Sequence, residues 1–185
     1  MGKINSRKKN ILLIVLFSVL SLLWMLLIFW FSANNGAESG ELSGKILKKL
    51  LHLLYPHWSA KTATQQNRII DRFHLLFRKL GHFSEYLVLG VFLRITWVLI
   101  TSRLIKSRQK HPARDILLPA FLSFLYACSD EYHQRFVQGR SGEFRDVMID
   151  FSGACAGILI VTLILYLRQR RHRKKPKKQP YKMLH

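Results

Sequence analysis

The stretch "ILLIVLFSVLSLLWMLLIFWF", Ile11–Phe31, decides the fold, because it contains no charged residue. Its length matches the roughly 20 residues that an α-helix needs to cross the hydrocarbon core of a bilayer. Two similar apolar runs follow, Phe83–Ile100 and Val147–Leu167, and a shorter one, Ile116–Cys128, lies between them. We therefore predict an all-α, polytopic membrane protein with four transmembrane helices. The first run is too long for the apolar region of a signal peptide and has no small-residue cleavage site at its end, which predicts an uncleaved span.

Charge and hydropathy divide the chain into three parts. A basic N-terminus at 1–10 precedes a four-helix membrane domain at 11–167, and a basic tail at 168–185, which we predict to be disordered, follows it. The predicted spans fall at about 11–31, 81–101, 116–134 and 147–167, and an outer amphipathic loop occupies 32–80.

The basic residues predict the orientation. The chain has 30 Lys and Arg against 10 Asp and Glu, and a formal net charge of +20. Eighteen of the basic residues fall in Lys3–Lys9, Arg103–Arg114 and Arg168–Lys182, which four spans would place on one side. The positive-inside rule makes that side cytoplasmic, and both termini with it. Membrane lipids with anionic head groups are the expected partners of this charge, and no nucleic acid is expected.

The outer loop contains two basic, amphipathic segments, Glu41–Trp58 and Gln66–Leu80. Apolar residues recur at helical spacing in both, with Lys and Arg on the remaining positions. Such segments beside a membrane favour helices that lie in the interface. The alternative is a lid of helices packed over the spans.

The third apolar run is short. Its 13 residues would make a helix of about 20 Å, whereas the hydrocarbon core is about 30 Å thick. A helix that crosses the core must continue through Ser129 to about Gln134. Asp130 and Glu131 are then expected in the outer part of the bilayer, or in a polar depression in it.

Helical spacing predicts that three spans direct polar residues toward each other. Asp130 and Glu131 share a side with Gln134, since residues three and four apart are neighbours on a helix. The other two spans carry the stripes Lys79, His82, Tyr86 and Asp146, Asp150, Gly153, Gly157. Unpaired charge in hydrocarbon costs at least a few kcal/mol, so these groups should face each other, with Arg140 and Arg145 balancing the carboxylates. Gly153 and Gly157 form a GxxxG motif, which favours close helix packing.

Three segments resemble the VanZ-like family, which is named for a teicoplanin-resistance protein. They are "FSANNGAESGELSGK" after the first span, "RKLGHFSEYLVLG" at the second, and "YACSDEYHQRFVQGRSGEFRDVMIDFSGACAG" across the third and fourth. The family commonly has Asn where this chain has Asp150. The resemblance implies an outward-facing membrane protein that alters sensitivity to glycopeptide antibiotics, and it suggests an analogy with small four-helix domains that process lipid head groups.

The polar residues favour an enzyme that acts on a phospholipid or polyprenyl-phosphate head group. His82 is the expected general base or nucleophile, and Arg140 would hold phosphate oxygens. The full catalytic prediction is His82, Asp130, Glu131, Gln134, Arg140 and Asp146, and the substrate-binding prediction is Lys79, Tyr86, Arg140, Arg145 and Asp150. Asp130, Glu131 and Asp146 are candidate ligands for a divalent cation, Mg²⁺ or Mn²⁺.

Two other functions stay open on the sequence. The cluster could bind a lipid-linked cell-wall precursor, an antibiotic or a membrane partner without making or breaking a bond. Transport of ions or lipid is less favoured, because the acidic residues gather at the outer ends of the spans. Four spans are few, which makes a homodimer a further expectation.

Overall fold

The computed structural model describes residues 2–34, 36–55, 57–103 and 112–173. These residues form five α-helices and one short 3-10 helix, Trp58–Ala60, and no strand occurs within those ranges. The helices are α1 Gly2–Ala33, α2 Gly36–Leu54, α3 Ala63–Arg103, α4 Pro112–Gln134 and α5 Phe144–Arg173. The prediction of an all-α protein is confirmed.

Three helical segments are long and apolar enough to cross a membrane, namely Lys8–Ala33, Ala63–Ser102 and Phe144–Arg171. The chain is thus built as a multi-pass membrane protein. Helix α4 has 23 residues and a length of about 35 Å, but it is not one of the three, because acidic and basic residues at its ends shorten the apolar run. A fourth span therefore stays a prediction.

Helix α3 differs from the expected boundary between the outer loop and the second span. It runs without a break for 41 residues, or about 60 Å, and includes the whole of the segment Gln66–Leu80. Gly81 does not end the helix, because it does not take the positive φ of a helix-terminating glycine and no proline follows it within α3. One helix thus serves both as loop segment and as span.

A capping box begins α3. The backbone N–H of Thr62 donates to the side chain of Gln65 at 3.1 Å, and the backbone N–H of Gln65 donates to the Thr62 hydroxyl at 3.4 Å. Before it, His57 takes a left-handed conformation with φ 56°, and the buried Trp58 accepts a hydrogen bond on its carbonyl from Gln66 at 3.0 Å. These contacts fix the turn from α2 to α3.

Helices α3 and α5 form the most extensive pairing in the bundle. The two backbones come into close contact at glycines of both helices. A Cβ at Gly153 would overlap the carbonyl oxygen of Phe83, and one at Gly157 would overlap that of Leu87. Gly90 of α3 meets the backbone of α5 in the same way. The small residues therefore bring the two helices together along the turns that carry the polar residues.

Helix α1 packs against α3 and α4 through half-buried hydrogen bonds. The indole of Trp24 donates to the carbonyl of Glu85 at 2.8 Å, and the hydroxyl of Tyr126 donates to the carbonyl of Met25 at 2.5 Å. The core between the helices contains Ile28, Tyr86, Leu89, Ala127, Val147 and Ala154. Helix α2 instead packs on the N-terminal half of α3.

The two basic ends of the chain extend the first and last helices. Helix α1 already begins at Gly2, so the predicted N-terminal segment is largely helical. Helix α5 continues to Arg173, six residues into the tail predicted to be disordered. The rest of that tail, residues 174–185, lies outside the described residues, as do residues 104–111 of the basic loop.

Candidate functional site

A cavity of about 210 Å³ lies among the ends of α1 and α4, the middle of α3, helix α2 and the loop after α4. Its wall contains both apolar and polar side chains. The apolar side chains are Ile28, Phe31, Ile46 and Phe77; the polar ones are Ser32, Ser43, Arg78, His82, Glu85, Asp130 and Arg140. The cavity therefore presents both apolar and ionisable side chains.

Helix α3 supplies the largest share of the polar wall. Arg78, His82 and Glu85 are four and three residues apart, so they share one helix face. His74 stands one turn before Arg78 on that same face. A single regular helix thus fixes the order and spacing of these groups.

His82 stands between two carboxylates. Its Nδ1 atom lies 3.9 Å from an oxygen of Asp150 and 4.0 Å from one of Glu85. Asp150 is fully buried, and neither of its carboxylate oxygens has a hydrogen-bond partner within the described part of the chain. Nδ1 of His82 has none there either. A movement of about 1 Å would bring the imidazole and the Asp150 carboxylate into hydrogen-bond range, as catalytic pairs often do once substrate binds.

A second group of polar residues is held by hydrogen bonds. The side-chain amide of Gln134 donates to Asp130 at 3.3 Å and to Glu131 at 3.1 Å. The other oxygen of Glu131 accepts the backbone N–H of Glu143 at 3.1 Å. All three side chains of α4 are buried. This network fixes the end of α4 against the loop that follows it.

Arg140 links that network to the end of α1. Its guanidinium donates to the side-chain oxygen of Gln134 at 3.2 Å and to the carbonyls of Phe31 at 3.0 Å and Asn34 at 3.1 Å. The carbonyls at a helix C-terminus carry partial negative charge and lack intrahelical partners. Burial lowers the pKa of Arg140, and these acceptors offset the cost of desolvation. Arg140, predicted to bind phosphate, thus also clamps α1 to α4.

Lys79 and Asp146 form an ion pair at 2.6 Å, with a quarter of each side chain exposed. They join α3 to the first turn of α5. Neither residue lines the cavity. Their predicted roles in substrate binding and catalysis therefore rest on their nearness to the site rather than on contact with it.

The remaining predicted residues also lie off the cavity wall. Arg145 is exposed. Tyr86 is fully buried, and its hydroxyl has no hydrogen-bond partner among the described residues. Asp150 lies behind His82. Of the five residues predicted to bind substrate, Arg140 alone lines the cavity.

The proposed metal ligands do not form a metal site. Within the described ranges, no three His, Cys, Asp or Glu side chains are grouped so that they could hold a metal ion. Asp146 is paired with Lys79, and both oxygens of Glu131 accept hydrogen bonds. Asp130 lines the cavity with one oxygen unpartnered in the described part of the chain.

Sequence reasoning missed two features of the wall. Arg78 has the form of an interfacial anchor, yet it lines the cavity and makes no ion pair with any described residue. Its spacing of four from His82 was the available signal. Ser43 of α2 also lines the cavity, and its hydroxyl lies 2.8 Å from Nε2 of His74. Only tertiary packing of α2 on α3 brings these two together.

Comparison with known proteins gives one match. A family model described as VanZ/LLP1 matches residues 17–165. The matched range includes all the cavity residues and extends through the first loop, beyond the motifs that carried the resemblance. No curated protein and no solved structure matches the chain.

Proposed function

The chain belongs to the VanZ/LLP1 family, whose model covers well over half of its length, and from that premise we propose that it binds the phosphate-bearing head group of a membrane lipid in the cavity and acts on it. The lipid is a phospholipid or a polyprenyl phosphate. In this proposal α4 is a fourth span, both termini are cytoplasmic, and the cavity opens toward the outer face.

The mixed wall of the cavity carries the proposal. Ile28, Ile46 and Phe77 give it side chains suited to hydrocarbon, and Arg78 and His82 give it side chains suited to a phosphate. A membrane lipid combines hydrocarbon and phosphate at the depth where its chains meet its head group. Such a ligand would use both sets of side chains.

The charged groups suggest a role for each part of the polar wall. Arg78 binds the phosphate oxygens, since a guanidinium can donate two parallel hydrogen bonds to them. Arg140 positions the wall by holding α1 and Gln134, and its charge adds to the attraction. His82 is general base or nucleophile, and Asp150 and Glu85 orient its ring.

An effect on the cell envelope follows if lipid head groups are changed. Teicoplanin-type glycopeptides act at the outer surface of the membrane, so altered head groups or precursors there would alter sensitivity to them. This consequence rests on the family membership together with the proposed chemistry.

Purified protein in lipid nanodiscs, incubated with radiolabelled anionic phospholipid or undecaprenyl phosphate, tests the proposal. We expect head-group release or exchange with one of the two lipids. Reactions with Mg²⁺, with Mn²⁺ and with a chelator determine whether a divalent cation is required. His82→Gln should lower the rate at least about 100-fold, which is within the range for loss of an acid–base group. Arg78→Gln should also lower the rate, because it removes the guanidinium that binds the phosphate oxygens.

Arg72→Gln is the matched control, because Arg72 is exposed on the same helix and lies off the cavity wall. It should turn over the same lipid as wild type, at the wild-type rate. Absence of turnover by folded wild type under every metal condition would count against an enzyme.

Non-catalytic binding is the second candidate. The hydrogen-bonded network around Gln134 favours it, since a satisfied buried network can serve only to hold a rigid binding site. Under this alternative, His82→Ala would retain both lipid binding and the effect on glycopeptide sensitivity. Under the enzymatic proposal, binding persists and the effect is lost.

A further inference from the structure

Ser43 and His74 form a hydroxyl–imidazole pair at the edge of the cavity. The Ser43 hydroxyl lies 2.8 Å from Nε2 of His74, and both atoms lie 3.0 Å from the carbonyl oxygen of Gly40. Ser43 lines the cavity beside Arg78 and His82. A serine hydroxyl within hydrogen-bond distance of an imidazole is the arrangement that activates a serine nucleophile.

The shared carbonyl of Gly40 gives this pair two states. With the imidazole proton on Nε2, His74 and Ser43 can both donate to Gly40. With the proton on Nδ1, Nε2 is an acceptor and Ser43 can donate to it instead. The second state is the one in which His74 can remove the Ser43 proton.

The position of His74 on α3 relates it to the rest of the site. His74, Arg78 and His82 follow each other at intervals of four residues, or about 6 Å of rise. A phosphate bound by Arg78 would stand between the two imidazoles. In-line displacement at phosphorus needs groups on both sides, one for the attacking oxygen and one for the leaving oxygen.

We propose that Ser43, rather than His82, is the nucleophile of this site and that His74 is its general base, which leaves His82 to exchange protons with the leaving and entering oxygens; the assignment rests on the proposed action upon a lipid phosphate. The Ser43 oxygen forms a bond to phosphorus while its proton moves to Nε2 of His74. The bond from phosphorus to the leaving alcohol oxygen breaks, and that oxygen takes a proton from His82. The Glu85 and Asp150 carboxyl groups, 4.0 and 3.9 Å from Nδ1 of His82, orient the ring for that transfer.

A second displacement restores the site. Water or an acceptor alcohol attacks the phosphorus of the phosphoserine and gives its proton to His82. The bond from phosphorus to the Ser43 oxygen breaks, and His74 returns the proton to that oxygen. Each group ends in the state in which it began, so no further reactant is needed.

A long-chain alkyl fluorophosphonate tests the assignment separately from lipid turnover. Fluoride leaves without a proton, so the reaction needs Ser43 and His74 but not His82. We expect mass spectrometry to find one phosphonyl adduct, on Ser43, in wild type and in His82→Gln at similar rates. Ser43→Ala should carry none, and His74→Asn should label at least about 100-fold more slowly.

An exposed Ser59–His52 pair, at 3.3 Å, provides the matched control because it lies away from the cavity. Ser59→Ala should label and turn over lipid like wild type. Ser43→Ala should lose lipid turnover while its unfolding midpoint stays at the wild-type value.

The outcomes separate the two proposals. If wild type turns over lipid and Ser43→Ala does so at the same rate, or if Ser43 of folded wild type is not labelled, the nucleophile assignment is wrong and the proposed function stands. If folded wild type turns over neither lipid, the proposed function fails first and this assignment fails with it.

Discussion

Replacing Gly157 by alanine should destabilise the protein, and the same replacement at Gly81 should not. Both glycines lie inside helices, so both substitutions gain the roughly 0.5–1 kcal/mol by which alanine is favoured over glycine in a helix. A Cβ at Gly81 meets no atom within 4 Å. A Cβ at Gly157 overlaps the carbonyl oxygen of Leu87 and stands 3.0 Å from the backbone N of Val91.

The cost at Gly157 cannot be relieved by a side-chain rotation, because the atoms in the way belong to the backbone of α3. Overpacking of a core costs about 1–3 kcal/mol, and this site belongs at the upper end, about 2–3 kcal/mol. After the helix preference is subtracted, we expect Gly157→Ala to lose about 1–2.5 kcal/mol of stability, whereas Gly81→Ala should gain about 0.5–1 kcal/mol.

Reversible unfolding in mixed micelles of dodecyl maltoside and SDS, followed by circular dichroism, measures both variants. The predicted difference in the free energy of unfolding between them is about 2–3 kcal/mol, because the helix preference is common to both. If Gly157→Ala is as stable as Gly81→Ala, the close backbone contact between α3 and α5 is wrong. Gly153→Ala should repeat the result of Gly157→Ala, since its Cβ meets the carbonyl of Phe83.

Three further predictions concern the charged residues. Arg140→Lys should lower the free energy of unfolding by about 2–3 kcal/mol in the same micelle assay, because one ammonium cannot replace a guanidinium that donates to three separate acceptors. If the variant is as stable as wild type, these hydrogen bonds contribute little. Lys79→Met should destabilise the protein by about 1 kcal/mol, and the added change Asp146→Leu should recover most of that loss in a double-mutant cycle; additive losses would show that the pair is not coupled. Asp150→Asn keeps the shape of a fully buried carboxyl group but removes its charge, so stability should be the same or higher. Lipid turnover should slow at least about 10-fold, because His82 loses its nearest carboxylate. An unchanged rate would show that Asp150 has no role in the site.

The sequence was sufficient to predict most of the helical segments and to group several of the polar residues. Apolar runs mark the spans in α1, α3 and α5 directly, since burial in lipid requires them. The period of a helix was enough to relate Asp130 to Gln134 on α4, and both lie in the hydrogen-bonded network. These features depend on residues near each other along the chain.

Features that depend on packing between helices could not be predicted from the sequence. From the sequence alone, Arg78 resembles a residue that anchors a helix at the membrane interface. It lines the cavity only because α2 and the end of α1 pack beside it. Ser43 gains a partner only because α2 folds back on α3, 31 positions away in the chain. Arg140 was expected to face a ligand, and the carbonyls at the end of α1 that it binds are more than 100 positions away.

The unbroken course of α3 has a mechanical consequence. Its length of about 60 Å is twice the thickness of the hydrocarbon core, so a large part of this helix must either lean strongly or stand clear of the lipid. No break interrupts the helix between Ala63 and Arg103. A sideways force on its N-terminal half, where α2 packs, would therefore rotate α3 about its close glycine contacts with α5. His82 lies close to those contacts, whereas Ser43 contacts the N-terminal half. Movement of the N-terminal half of α3 would therefore change the distance between these two residues before it disturbed the span.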